Sequence, residues 1–425
     1  MLKISSLLLL AATLASAEVH RLTLRQAVEI ALQQNPDMVL ARLDEKRAQD
    51  SIRIAKDPFV PKVYGGSGLA YTSGYPNSID GNAPSIFEAK TSMAIFNRPK
   101  SYELAEQREN ARTSAIASQS KADDVAFQTA NNFVDVQQLA NGEQSLQGEV
   151  DALQRVADAV RLSVEEGREI PLDAKRAQLD LARARQRFQA LEIDLEYAES
   201  SLAGVLGYPA GDRVEPLADD RGAPEFPGSP EAASAIALQN SKEIRRLESL
   251  LQAKNLEVRG YQSYRLPQLD LVAQYALFDK QAYSGYFSKF QRNNGQLGVS
   301  IQIPLLVGSA SAGYLARAET DVAKLRAQIN TTRNRIALEA ERSYRELKKA
   351  ETARDVAKLD LEVARDQVNV LLAQLVEGRS TQQAVEQSRF SENEKWLSFY
   401  DAQHTLERAR IDILHQTGTI IAALK

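Results

Sequence analysis

The chain has no cysteine, one tryptophan, three methionines and three histidines in 425 residues. Without cysteine there is no disulfide framework, no thiolate ligand for a metal, and no residue on which a lipid anchor could be built after export. The histidines, His20, His404 and His415, are too scattered in sequence to form a metal motif. Neither sign of charge dominates: 52 basic against 56 acidic residues leave −4, so the basic footprint of a nucleic-acid binder is missing. After the first residues no apolar run reaches about 18 residues, which excludes a membrane-crossing helix of the usual kind. A membrane role would have to use strands. H-E-x-x-H and the nucleophile elbow are also missing, and "GSASAG" at 308–313 has glycines at P-loop-like spacing but no following lysine. These absences describe a protein that is not an enzyme, holds no metal and needs no cofactor.

What is present begins with "MLKISSLLLLAATLASAEVH": a basic Lys3, an apolar stretch from Leu7 to Leu14, and Ala15 and Ala17 ahead of Glu18. This reads as a secretory signal peptide over 1–17, cleaved at an A-x-A site; the alternative is a buried N-terminal helix.

The remainder is a tandem duplication. "AVEIALQQ" at 27–34 returns as "ASAIALQN" at 233–240, and the same offset carries Pro61 onto Pro267. "EEGRE" at 165–169 answers "VEGRS" at 376–380, placing Gly167 on Gly378. The second copy has gained five residues, most simply in its strand hairpin. The copies span 18–206 and 229–425. The segment 207–228 between them, "GYPAGDRVEPLADDRGAPEFPG", is rich in proline and glycine and reads as a linker or a small irregular collar.

Each copy has the same order of parts. Thr23 and Gln26 form a T-x-x-Q capping box, and Ser229 precedes Pro230 as an N-cap with proline at the first helical position. Asn35-Pro36 interrupts the first helix, because proline disfavours helical geometry in the residue before it. Strand hairpins follow. In "RLPQLDLVAQYAL" Leu269, Leu271, Ala273, Tyr275 and Leu277 alternate with Gln268, Asp270, Val272, Gln274 and Ala276. The partner strand puts Leu297, Val299, Ile301 and Ile303 on one face; in the first copy Phe87, Ala89, Thr91, Met93 and Ile95 do the same. Tyr71, Tyr75, Tyr275, Phe278, Tyr283, Tyr286, Phe287 and Phe290 cluster toward the loop ends. Long helices then run from Tyr102 to about Val164 and from Leu315 to about Val376. The first is interrupted by no proline and only by Gly142 and Gly148, and at about 1.5 Å per residue each reaches roughly 95 Å. They turn at Gly167 and Gly378, and a shorter helix runs back. The fold class is mainly α with a small β part.

An isolated hairpin is marginal in water, and four strands with open edges cannot sit in a bilayer. An exported protein can solve this by pooling strands from several copies into one closed barrel. The alternatives are a strand pair packed on a soluble helical domain, and a non-pore periplasmic or surface helical scaffold.

"LTLRQAVEIALQQNP" at 22–36, the strand after Pro267, "IPLLVGSASAG" at 303–313 and the glycine turns resemble the TolC family of outer membrane efflux proteins. The resemblance covers essentially the whole chain after the signal. It implies a homotrimer in which each chain contributes four strands to a twelve-stranded transmembrane β-barrel, with the helices forming a hollow α-barrel through the periplasm. It further implies passive export of small molecules or secreted substrates. The partners would be a periplasmic membrane-fusion adaptor, an inner-membrane transporter of the RND, ABC or MFS type, and outer membrane lipid. Leu269, Leu271, Tyr275, Leu297, Val299, Ile301 and Ile303 would then face lipid. The adaptor-docking turns would be Glu166-Gly167-Arg168 and Glu377-Gly378-Arg379, where relatives usually carry apolar neighbours. A periplasmic gate would involve Asp173, Arg379 and Glu386. The positions six and nine past Gly378, often acidic in the family, are Ala384 and Gln387 here.

Overall fold

A computed structural model describes residues 18–68, 85–168, 170–217, 225–279, 291–306, 308–380 and 382–424. The expected signal peptide at 1–17 lies outside them. The chain forms two compact units: Met1–Leu40, Gln119–Ser241 and Asn334–Lys425 make one, and Ala41–Ser118 with Lys242–Arg333 make the other. Each unit draws on both copies of the sequence.

The first unit is helical, with one small parallel ladder. Strand β1 (Val19–Leu22) pairs with β4 (Arg213–Pro216), from Val19 opposite Arg213 to Leu22 opposite Pro216. Helix α1 (Leu24–Gln34) starts at a capping box: Thr23 Oγ1 accepts from the Gln26 N–H at 3.4 Å, and Gln26 Oε1 accepts from the Thr23 N–H at 3.0 Å. Two of the amide hydrogens that a helix start leaves unpaired are thereby satisfied. Asn35 stops α1 and caps α2 (Pro36–Lys56), accepting from Asp37 N at 2.8 Å. The core joins Leu24, Val28 and Ala31 of α1 to Val125, Ala130 and Phe133 of α3 (Arg98–Glu165), and to Leu202 and Leu206 of α4 (Pro171–Leu206). Alanines at 27, 31, 126, 130 and 203 are almost fully buried there, which lets the helix backbones approach closely. A second cluster packs Ala233 of α5 (Pro230–Asn240) against Tyr344 and Leu347 of α7 (Gly308–Val376) and Leu406 and Ile413 of α8 (Gln382–Gln416). Burial of one such leucine contributes about 1.5–3 kcal/mol. A short α9 (Ile420–Leu424) closes onto the first cluster through Ile420.

The second unit carries the sheet, in the order β2-β3-β5-β6 and antiparallel throughout. These strands are Lys62–Gly68, Ser85–Phe96, Gln268–Phe278 and Asn293–Gln302. Pro58 and Pro267 bracket the entries: short 3-10 turns at Asp57–Phe59 and Ser263–Arg265 end α2 and α6 (Lys242–Gln262) and feed the chain into β2 and β5. Leu247 of α6 packs on Leu325 and Ile329 of α7, and Thr113 of α3 donates to Ser249 of α6 at 3.0 Å.

Four features differ from the sequence reading. The second copy also breaks its first helix, at Ser241 between α5 and α6, with no proline there. The segment between the copies contains β4, whose partner is the start of the chain. The β3 ladder shifts between Ala94 and Phe96, so Phe96 rather than Ile95 stands opposite Leu269. Ile303 falls one residue past the end of β6.

Candidate functional site

The sheet register aligns the apolar residues of separate strands. Leu271 stands opposite Met93 on one side and Val299 on the other, Ala273 opposite Thr91 and Leu297, and Leu269 opposite Ile301. Directly opposed residues share a face. Leu269, Leu271, Tyr275, Leu297, Val299 and Ile301 therefore lie on one face, with Phe87 joining them opposite Leu277. The other face carries Glu88, Lys90, Asp270, Gln274, Gln296 and Ser300 by the same pairing. Lys90 bridges Glu88, and Gln274 Nε2 donates to Glu88 Oε1 at 2.7 Å.

The apolar face of the edge strand β6 has no cover within the chain. Leu297 is 79 % exposed and Ile301 62 %, whereas the Glu88 side chain is only 14 % exposed. Apolar groups bare and a carboxylate covered is the arrangement expected where hydrocarbon surrounds the sheet and water lies on the polar side. Among the described residues β2 and β6 each pair on one side only, so the sheet has two open edges. Of the aromatics expected near the loops, Tyr275 is half-exposed and its hydroxyl donates to Asn293 Oδ1 at 3.1 Å. Phe278 ends β5. Tyr71, Tyr75, Tyr283, Tyr286, Phe287 and Phe290 lie outside the described residues.

The first unit holds the two helix turns, and they are built alike. Gly167 has φ +75° and Gly378 φ +70°. Gly167 N bonds Val164 O at 3.0 Å and Arg168 N bonds Ser163 O at 2.8 Å; Gly378 N bonds Leu375 O at 3.0 Å and Arg379 N bonds Gln374 O at 2.8 Å. Both are Schellman ends, in which a left-handed residue lets the last carbonyls be satisfied. In each turn a salt bridge spans the glycine, Glu166 to Arg168 and Glu377 to Arg379. Leu162, Ile170, Leu172 and Val376 lie exposed beside these turns.

Asp173, in the first turn of α4, pairs with Arg176 at 3.3 Å, and Glu386 pairs with Arg389 at 3.5 Å. Arg379 thus bonds within its own turn, and Asp173 within its own helix. Behind the turns α3 and α4 are tied by Arg187 to Glu149 at 2.7 Å. Helices α7 and α8 are tied by Lys395 to Asp360 at 3.0 Å and by Arg365 over the Trp396 ring at 4.3 Å.

A set of polar contacts that the sequence reading passed over links α3 to α8. Gln138 donates to Asp401 at 3.0 Å, Asp135 lies 2.7 Å from His404 Nε2, and Asp124 lies 3.1 Å from His415 Nε2. The two numbers of every pair sum to the same value, as they must in one antiparallel register. Equal spacing between His404 and His415 and between Asp124 and Asp135 was the available signal.

Residues 27–208 match the model of the outer membrane efflux protein family. The chain has the fold of solved outer membrane channels at low identity. It superposes on VceC of Vibrio cholerae with a TM-score of 0.73 at 14 % identity, covering 93 % of this chain and 96 % of that one. For the Campylobacter jejuni CmeC outer membrane channel the TM-score is 0.76 at 13 % identity, with 93 % and 85 % covered. The open-state MtrE outer membrane channel of Neisseria gonorrhoeae gives 0.73 at 14 %, with 94 % and 89 % covered. No curated protein matches. The chain is mainly α with a small β part.

Proposed function

We propose that the protein is an outer membrane efflux channel working as a homotrimeric exit duct, twelve strands in the outer membrane and a helical tunnel in the periplasm, and that it catalyses no reaction. Three copies of the four-stranded sheet close into a barrel by joining β6 of one chain to β2 of the next, which removes every open edge. The observation that carries this is the uncovered apolar face of a sheet with open edges, with Leu297 bare, while Glu88 on the other face is covered. Unpartnered apolar positions on the helices add to it. Leu172, Leu179 and Ile193 on α4 recur at multiples of seven, as do Val356, Val363 and Val370 on α7, and all are at least half-exposed. Such stripes are seams for neighbouring helices.

The leader at 1–17 is removed on export, and the two copies at 18–206 and 229–425, joined through 207–228, supply equivalent helical hairpins to the tunnel. A periplasmic adaptor docks on the turns at Gly167 and Gly378, and an inner-membrane transporter supplies substrate and energy. Asp173, Arg379 and Glu386 belong to the resting constriction near those turns.

The chain's lack of cysteine makes the test direct. Tyr64→Cys in β2 and Ser300→Cys in β6 sit on the two edge strands, and each shares the polar face. With a short bis-maleimide the double variant should yield a covalent trimer from outer membranes, and neither single variant should. A ladder that stops at monomer, or protein that salt and urea wash from the membranes, would favour the helical scaffold.

A further inference from the structure

The parallel ladder of β1 and β4 fixes the backbone of Glu18. Arg213 N donates to the Glu18 carbonyl at 3.0 Å, and the Glu18 nitrogen donates to Asp212 Oδ1 at 3.1 Å. The second oxygen of Asp212 lies 3.2 Å from His20 Nε2, and the His20 ring stacks on Tyr208 with 4.1 Å between centroids and 9° between planes. The Asp212 side chain is only 13 % exposed. Among the described residues no lysine or arginine bridges it; Arg213, next in sequence, turns instead to Glu196 of α4 at 3.4 Å.

A carboxylate so covered is expected to have a counter-charge. Imidazole supplies one only part of the time near neutral pH. Asp212 nevertheless stays below the usual carboxylate range, held there first by the Glu18 N–H and then by His20. The atom that does most of this work is the nitrogen next to the expected cleavage point, since Ala15 and Ala17 precede Glu18.

We propose that Asp212 is the seat for the α-ammonium created when residues 1–17 are removed. Water adds across the Ala17–Glu18 peptide bond. The C–N bond breaks, hydroxide goes to the Ala17 carbonyl carbon, and the Glu18 nitrogen takes up protons to become an ammonium. The nitrogen already positioned on Oδ1 then carries a full positive charge, and its hydrogen bond becomes charge-assisted on both sides. Export processing thereby locks β1 onto β4. The charged and titratable groups around the seat are Asp212, His20, Tyr208, Arg213 with its partner Glu196, and the Glu18 side chain. An amine with such a partner is raised above its ordinary value of about 7.7–8.0. The stability it contributes is complete below that range and is lost as pH rises through the raised value.

This inference rests on removal of the leader, and the experiment separates the two. Intact mass of the full-length channel purified from outer membranes gives the first residue; a chain starting elsewhere than at Glu18 overturns the seat. On the same protein, amine labelling of the N-terminal peptide is followed against pH, with the free peptide EVHRLT as reference. The channel's amine should titrate at higher pH, and at pH 7.5 should label about tenfold more slowly for each unit of difference. Asp212→Asn should remove most of that protection, while His20→Gln should keep it. A wild-type midpoint equal to the free peptide's overturns the proposal, whether or not the variants fold.

Discussion

Gly207 lies directly against Gln34: a Cβ built on Gly207 would stand 2.7 Å from the Gln34 carbonyl oxygen, and the glycine's φ is +89°. The second copy repeats the relationship. Gly418, φ +68°, faces Asn240, whose Cβ would be 3.2 Å away. Gln34 and Asn240 are the last residues of α1 and α5, and each glycine terminates a returning helix through a Schellman end.

Substitution at both glycines should destabilise the channel, and unequally. The left-handed backbone alone costs an alanine about 1–2 kcal/mol. At position 207 the obstructing atom is a backbone oxygen well inside contact distance, whereas at 418 a few tenths of an ångström of movement would suffice. Gly207→Ala should therefore lower the urea midpoint of the detergent-solubilised channel more than Gly418→Ala. Equal midpoints for the two variants would show that α1 yields as readily as α5.

The faces of the sheet give a second asymmetry. Leu271→Arg and Ile301→Arg place a charge on the apolar face at a cost of roughly 2–4 kcal/mol near the bilayer midplane. Gln274→Arg lies on the other face, next to Glu88, where a new cation has a partner at hand. Gln302→Arg, opposite Gln268, faces the same polar side. Heat-resistant trimer in outer membranes should be lost in the first pair and kept in the second; parallel losses would mean that the faces are assigned the wrong way round.

Acid should act through Glu106. Burial raises its pKa first, and the charge of Glu257 across on α6 raises it further, against the lowering effect of Lys254. A carboxyl raised in the fold is easier to ionise when unfolded, so its destabilising effect grows as pH rises through the carboxylate range and is complete above it. Glu106→Gln should raise the unfolding temperature at pH 7 and leave it nearly unchanged at pH 4. The same gain at both pH values would trace the effect to packing rather than to charge.

Much of this architecture is legible in the sequence. The caps at Thr23 and Ser229, the entry turns before the strands and the alternation of β5 are local signals, set by the residues that bear them. What was missed depends on partners distant in sequence. The break at Ser241 has no proline to mark it; the residue before it, Asn240, is met by Gly418 from far along the chain. Strand β4 is hidden in a proline-rich stretch because its ladder partner is Val19–Leu22. The bulge at Ile95 follows from how β3 must register on β5, and period-two alternation carries no information about that. The His404 and His415 contacts likewise needed the antiparallel register of α3 and α8.

The last prediction concerns the turn region of the helices. Within one chain Asp173 is held by Arg176 and Arg379 by Glu377, each pair exposed. Exposed pairs of this kind contribute about 0–1 kcal/mol. A gate built from Asp173 and Arg379 must then form between chains and displace these local partners, and threefold symmetry would repeat it. That reading separates two arginines that touch the same site in different ways. Arg379→Ala and Asp173→Ala should each raise the conductance of the channel in planar bilayers, and the double variant should add little, because removing one partner already frees the other. Arg176→Ala should leave conductance at the wild-type level or lower it, since it frees Asp173 for the partner across the interface. An increase with Arg176→Ala and none with Arg379→Ala would locate the restraint inside α4 and leave Arg379 as a charge of the helix turn.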